Sequence, residues 1–155
     1  MRQGARRIVA YCAVRMSQRM RSPRCDLTIR LAMKSVLSIA GSDPTGGAGL
    51  QADVQVFNAF GVHGAAVPTA LTNQNGIHVR QVLPVFPSAL LETLRATLDA
   101  VRPSAIKIGM LATDDIVRNV LLALASHREI PVVIDPVLAS SDGSPLLERR
   151  AYAAL

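Results

Sequence analysis

The chain has 155 residues, half of them hydrophobic, which is enough for one compact domain and too little for two ordinary ones. Its formal charge of +6 is unevenly spread, because residues 1–32 hold eight Arg and one acid, while the rest holds nine basic and ten acidic residues. A nearly neutral body argues against a nucleic-acid-binding fold, and no apolar stretch reaches the roughly 18 residues of a membrane span.

Residues 1–32 are predicted to form a basic, disordered leader ahead of a domain that begins at Met33. An upstream extension before a natural start at Met33 explains this segment, and so does an organellar transit peptide, which is also rich in Arg and poor in acids. Cys12 and Cys25 both lie in the leader, and no other thiol exists to build a disulfide framework or a zinc site. A reducing, cytoplasmic setting is therefore expected.

From Met33 onward, short aliphatic runs alternate with segments of helical spacing, which is typical of parallel strands joined by helices. The predicted strands cover residues 34–40, 64–71, 104–108 and 131–135, and the predicted helices cover 48–60, 87–101 and 114–127. Residues 77–83 begin with period-2 alternation, which predicts an edge strand or a flap. Residues 146–155 predict the start of another amphipathic helix, so we expect the sequence to be a truncated domain.

A glycine-rich turn, AGSDPTGGAGLQAD at residues 40–53, lies between the first strand and the first helix. Glycines allow a ligand to approach the backbone closely at a helix N terminus. A phosphate-binding P-loop would need Gly-Lys followed by Ser or Thr, and no Lys occurs between Lys34 and Lys107. A dinucleotide fingerprint fits residues 47–52, but the second strand ends without the acid that would hold a ribose. The turn therefore favours a small-molecule site lined by backbone.

Asp53 is predicted to lie within or at the edge of the apolar stripe of the first helix, beside Leu50, Phe57 and Phe60. It is too far into the helix to cap the N terminus. Because an unpaired buried charge is costly, this carboxylate needs either a structural hydrogen bond to the glycine loop or a ligand. The sequence leaves both explanations open.

Polar or unusual residues follow the carboxyl end of each predicted strand, where open parallel sheets bind their ligands. The four groups are Gly41 to Asp43, Thr72 to Gln74, Gly109-Met110, and Asp135 to Val137. The sequence therefore predicts a binding site at this edge of the sheet. The three histidines show no metal-ligand spacing, so no metal site is predicted on them.

Four segments resemble the hydroxymethylpyrimidine and phosphomethylpyrimidine kinase family of thiamine biosynthesis: AGSDPTGGAGLQADVQVFNAFG, TALTNQNG, IKIGML and VVIDPVLASSDGSPLL. The resemblance covers residues 34–155 and implies a three-layer α/β ribokinase-like fold with a mostly parallel sheet, truncated before the nucleotide-binding half. It implies ATP-dependent phosphorylation of 4-amino-5-hydroxymethyl-2-methylpyrimidine and of its monophosphate. ATP and Mg²⁺ are the expected cofactors, and both are expected to need the missing nucleotide-binding half. The parent protein is expected to be a homodimer, with neither a nucleic-acid nor a membrane partner.

The resemblance also implies which residues surround the pyrimidine: Gly41, Ala48, Asp53, Thr72, Gln74, Met110 and Val137. The Gln74 amide offers one acceptor and two donors to an aminopyrimidine edge, and Met110 and Val137 would sandwich the ring. Asp135 is expected near the metal and phosphate region, without being assigned as a direct metal ligand. Asn73 departs from the small residue that is more usual in the family, which would change the pocket wall.

The resemblance implies that no catalytic residue lies within residues 33–155, so the chain alone is expected to be inactive. Two alternatives stay open at this point. One is a related kinase acting on pyridoxal or a sugar, and the other is a non-catalytic pyrimidine-binding fragment. An in-frame continuation carrying an anion-binding glycine motif would favour the enzyme.

Overall fold

The structure is a computed structural model that describes residues 33–154, so the predictions for residues 1–32 lie outside the described residues. Its core is a five-stranded sheet in the order β3-β2-β1-β4-β5. The strands are β1 (Ser35–Ser42), β2 (His63–Gln74), β3 (Val79–Pro84), β4 (Ala105–Ile108) and β5 (Val132–Ile134). Only β3 runs antiparallel to its neighbour, which confirms the predicted α/β fold with a mostly parallel sheet.

Helices cover both faces of this sheet, because the side chains of each strand alternate between the faces. Leu37 and Ile39 of β1 join the main apolar core together with α2 (Pro87–Val101) and α3 (Asp114–Leu124). Ser38, between them, points to the other face and hydrogen bonds to α1 (Gly49–Ala59), which packs on β1 and β2. The three layers are therefore α1, the sheet, and the α2–α3 pair.

Each predicted helix and strand from residue 34 to residue 135 is present, with three differences of detail. The helix predicted at 114–127 ends three residues earlier, at Leu124. Strand β2 runs three residues beyond its predicted end, because its carboxyl half pairs with β3 from Ala70 to Gln74. The alternating segment at 77–83 is thus an edge strand and not a flap. Phe60 lies just past the end of α1 and is 81% exposed, so its predicted place in the apolar stripe is wrong.

The predicted helix at residues 146–155 is also wrong in type. Arg149–Ala154 form a short 3₁₀ helix that packs against α3 through the buried Ala151. Among the helices that the structure describes, none combines the length and the apolar character that crossing a bilayer requires.

Candidate functional site

A cavity of about 460 Å³ opens where the carboxyl ends of the parallel strands meet. This volume suits a small organic ligand. The eight residues that the sequence singled out come from four separate segments and all line this cavity: Gly41, Ala48, Asp53, Thr72, Gln74, Met110, Asp135 and Val137. The structure thus brings the whole predicted set together.

Two glycines allow the turn after β1 to fold tightly beside the cavity. Gly49 has φ +58°, and a Cβ there would overlap the carbonyl oxygen of Gly41. A Cβ on Gly41 would in turn overlap the methyl group of Met110, whose side chain covers this glycine. Backbone and Met110 therefore form one wall of the cavity, and neither glycine position tolerates a side chain without movement.

The glycine-rich turn is held by its own polar side chains. The buried Asp43 carboxylate accepts hydrogen bonds from the backbone N–H and the hydroxyl of Thr45, both at 2.8 Å. The Gln51 amide accepts from the Asp43 N–H at 2.9 Å and donates to the Ser42 hydroxyl at 2.7 Å. Helix α1 follows with Ala48 as its N-cap and without a side-chain hydrogen bond to cap it, and Ala48 and Gly49 line the cavity.

Asp53 is bound by two side chains from the sheet beneath α1. Lys107 Nζ lies 3.1 Å from each carboxylate oxygen, and the Ser38 hydroxyl donates to Oδ2 at 2.5 Å. The structural partners of Asp53 therefore lie on β1 and β4, and not in the glycine loop, which the sequence had offered as one of two explanations. Sequence reasoning missed Lys107, although a lone charge inside the aliphatic strand SAIKI was a signal that it needed an acidic partner.

Hydrogen bonds from two threonines on β2 fix the neighbouring walls. The fully buried Thr69 donates to the Met110 carbonyl at 2.6 Å, and Thr72 donates to the Ser42 carbonyl at 2.8 Å. Because its hydroxyl hydrogen is used in this way, Thr72 can only accept a hydrogen bond from a ligand. The amide of Gln74 makes no hydrogen bond to another described residue, which leaves its donors and acceptor for a ligand.

Asn73 does not change the cavity wall, contrary to the expectation from its departure from the family pattern. Its side chain is exposed and lies outside the cavity, because alternation along β2 directs Thr72 and Gln74 inward and Asn73 outward.

A loop after β5 forms the rim of the cavity and is anchored by Asp142. The carboxylate accepts from the Ser140 hydroxyl, from the N–H groups of Ser144 and Val79 at 3.0 and 3.1 Å, and lies 3.3 Å from His78 Nδ1. These hydrogen bonds, with that of Ser140 foremost, hold the pKa of Asp142 well below its ordinary value. The loop is thereby tied to the start of β3.

No group of three His, Cys, Asp or Glu side chains able to hold a metal forms within residues 33–154. Mg²⁺ is usually held by one or two carboxylates together with substrate phosphates and water, so a complete protein cage is not required. Asp135 lines the cavity and has the chemistry of one such carboxylate ligand.

The sequence model of a family described as phosphomethylpyrimidine kinase matches residues 43–155. The chain is 42% identical over 121 residues to the hydroxymethylpyrimidine/phosphomethylpyrimidine kinase of Salmonella typhimurium, covering 78% of the chain and 46% of that relative. The Escherichia coli enzyme of the same name gives the same identity and coverage. The chain thus spans about half the length of these curated relatives.

Two solved structures show the same likeness. The phosphomethylpyrimidine kinase of Clostridium difficile 630 superposes with a TM-score of 0.71 at 36% identity, over 79% of this chain and 53% of that one. The pyridoxal kinase of Staphylococcus aureus in complex with AMP-PCP superposes with a TM-score of 0.66 at 30% identity, over 79% and 44%.

Proposed function

Because the chain belongs to the phosphomethylpyrimidine kinase family, we propose that its cavity is the pyrimidine site of a kinase with a ribokinase-like fold. The reaction is phosphoryl transfer from ATP to 4-amino-5-hydroxymethyl-2-methylpyrimidine and to its monophosphate, in the biosynthesis of thiamine diphosphate. One observation carries the proposal: the eight residues assigned by resemblance to the pyrimidine and its phosphate region line a single cavity.

The chemistry of the walls supports a flat, polar-edged ring. Met110 and Val137 offer apolar surfaces for its two faces, and the Gln74 amide offers both donors and an acceptor to its edge. Thr72 offers an acceptor, and Asp53 offers carboxylate oxygen. This combination of apolar faces and a few placed polar groups is typical of sites for small aromatic ligands.

Asp135 is proposed to face the metal and phosphate groups. Mg²⁺, when bound, would neutralise charge on the transferred phosphoryl group. Because the chain spans about half of its relatives, the transfer reaction is proposed for the whole kinase. We expect this chain by itself to bind the pyrimidine without phosphorylating it. A homodimeric parent stays a prediction from the resemblance, and a cytoplasmic location stays a prediction from the cysteine content.

A pyridoxal kinase is the second candidate, since pyridoxal kinases are among the similar solved structures. Calorimetric titration of the 155-residue chain with the aminopyrimidine and with pyridoxal separates the two. We expect the aminopyrimidine to bind at least about tenfold more tightly, a difference of about 1.4 kcal/mol. Tighter binding of pyridoxal would favour the second candidate, and binding of neither ligand would contradict the proposed substrate site.

A further inference from the structure

Lys107 is the only cationic side chain among the described residues that line the cavity, beside the three carboxylates of Asp43, Asp53 and Asp135. Asp43 is engaged within its own turn by Thr45. Lys107 is instead paired with Asp53, and nothing in the family resemblance gave it a role. It is therefore the charged group of the cavity that still lacks an explanation.

The ion pair fixes Asp53 in a defined orientation. The ammonium group lies at the same distance, 3.1 Å, from both carboxylate oxygens, and the Ser38 hydroxyl adds a third hydrogen bond at Oδ2. The side chains of Lys107 and Asp53 are only 22% and 16% exposed. A carboxylate has about four acceptor positions, so the described partners leave one, on Oδ1.

The absence of a side chain at Gly109 leaves room for the ammonium group of Lys107. A Cβ at this position would lie 3.1 Å from Lys107 Nζ and 2.9 Å from the Cβ of Ala40, so a larger residue would displace the lysine head from Asp53. Gly109 itself lines the cavity. The ion pair is thus built into the cavity wall by three strand or strand-end residues, Ser38, Lys107 and Gly109.

We propose that Lys107 is a positioning residue of the pyrimidine site. Together with Ser38 it holds the Asp53 carboxylate so that its one open acceptor position, on Oδ1, is presented to the ligand. The site thereby selects a ligand that places an N–H or O–H donor against Asp53, as the amino or hydroxymethyl group of the aminopyrimidine can. This inference rests on the proposed function, since it assumes that the pyrimidine occupies the cavity.

A double-mutant cycle with calorimetric titration of the aminopyrimidine tests the proposal on the 155-residue chain. Lys107→Met should weaken binding by roughly tenfold, because Asp53 loses the partner that orients it, whereas Lys107→Arg should recover most of the affinity. In an Asp53→Asn background, Lys107→Met should cost less than about twofold, since no carboxylate is left to position. Lys34→Met, at an exposed lysine outside the cavity, is the matched control.

Thermal unfolding of each variant separates loss of binding from loss of folding. If the single Lys107→Met variant is unstable, the double variant Asp53→Asn, Lys107→Met, which removes both charges of the pair, can still be compared with Asp53→Asn alone. Unchanged binding by Lys107→Met would overturn the proposal. An equal loss in both backgrounds would also overturn it, because Lys107 would then contact the ligand itself. Failure of the wild-type chain to bind would instead overturn the proposed substrate, and with it this role for Lys107.

Discussion

Gln74 lines the cavity, and its amide makes no hydrogen bond to the other described residues. Replacing Gln74 with Leu keeps a similar volume but removes the amide, so polar atoms at the ring edge would be buried without partners at about 1 to 3 kcal/mol each. We expect Gln74→Leu to weaken binding of the aminopyrimidine by roughly 10 to 100-fold in a calorimetric titration. In the whole kinase, kcat/KM for the pyrimidine should fall by the same factor, while the KM for ATP should barely move.

The neighbouring amide provides the control for this prediction. Asn73 is exposed on the opposite side of β2, so Asn73→Leu makes the same chemical change outside the cavity and should leave binding unaltered. Equal affinity of the Gln74→Leu variant and the wild type, with folding intact, would show that the Gln74 amide makes no contribution to ligand binding.

Asp142 is expected to make the stability of the folded protein depend on pH. Its folded-state pKa is lowered, so its contribution to stability is present above the ordinary Asp pKa of about 3.9 and is lost as the pH falls through and below that value. Asp142→Asn should therefore lower the melting temperature at neutral pH, and the gap to the wild type should narrow at acidic pH. Asp99→Asn, at an exposed carboxylate on α2, should show no such gap, and a gap that is constant with pH would contradict the assignment.

The charged residues show what sequence reasoning could and could not establish at this scale. The position of Asp53 in a helix that packs on the sheet, and the cost of leaving it unpaired, were both predictable from spacing and burial. Its partner was not, because Lys107 lies 54 residues away and is brought near only by the parallel pairing of β1 with β4. Long-range pairing of this kind is set by sheet order, which local patterns do not encode.

At the scale of elements, the close packing of α1 against β2 depends on Gly64. A Cβ at this position would lie 3.2 and 3.3 Å from atoms of Phe57 and 3.4 Å from the Cα of Val54, so a side chain would push the helix away from the strand. We expect Gly64→Val to lower the free energy of unfolding by about 1 to 3 kcal/mol in a urea titration. Ala66→Val, at an exposed position on the same face of β2, should change it by less than about 0.5 kcal/mol.

If both variants were equally stable, the close approach of α1 to β2 would be contradicted. The prediction also bears on the site, because α1 carries Asp53 and starts beside Ala48 at the cavity. A displaced helix should therefore weaken ligand binding together with stability.

Predictability differed between the elements for physical reasons. The helix at 87–101 was predicted with the bounds that the structure shows, and the helix predicted at 114–127 begins where predicted but ends three residues earlier, at Leu124. The extension of β2 through Gln74 was missed because it depends on pairing with β3, a contact between strands and not a property of the segment. The 3₁₀ helix at the end was mistaken for an α-helix because its apolar spacing fits both over so few residues.

At the scale of the whole molecule, β5 forms an apolar edge of the sheet. All three residues of this strand are exposed, with Val133 at 63%, and β4 is the strand paired with it among the described residues. Open apolar strand edges favour pairing with other chains. We expect the chain to self-associate as its concentration rises, and sedimentation velocity should show species larger than the monomer.

A charge on this edge should oppose the association. Val133→Lys is expected to shift the chain toward monomer, whereas Leu121→Lys, which adds the same charge at an exposed position on α3, should have little effect. A chain that stays monomeric at all concentrations, or an equal response to both variants, would contradict this role of β5.

A crystal structure of the chain with the aminopyrimidine bound tests most directly whether the cavity at the carboxyl edge of the sheet is a pyrimidine site. We predict that the ring lies between Met110 and Val137, with the Gln74 amide about 3 Å from a polar atom of the ring edge. A donor of the ligand should face Oδ1 of Asp53, with the ion pair to Lys107 retained. A pyrimidine bound elsewhere, or one seated in the cavity without contact to Gln74, would contradict the account.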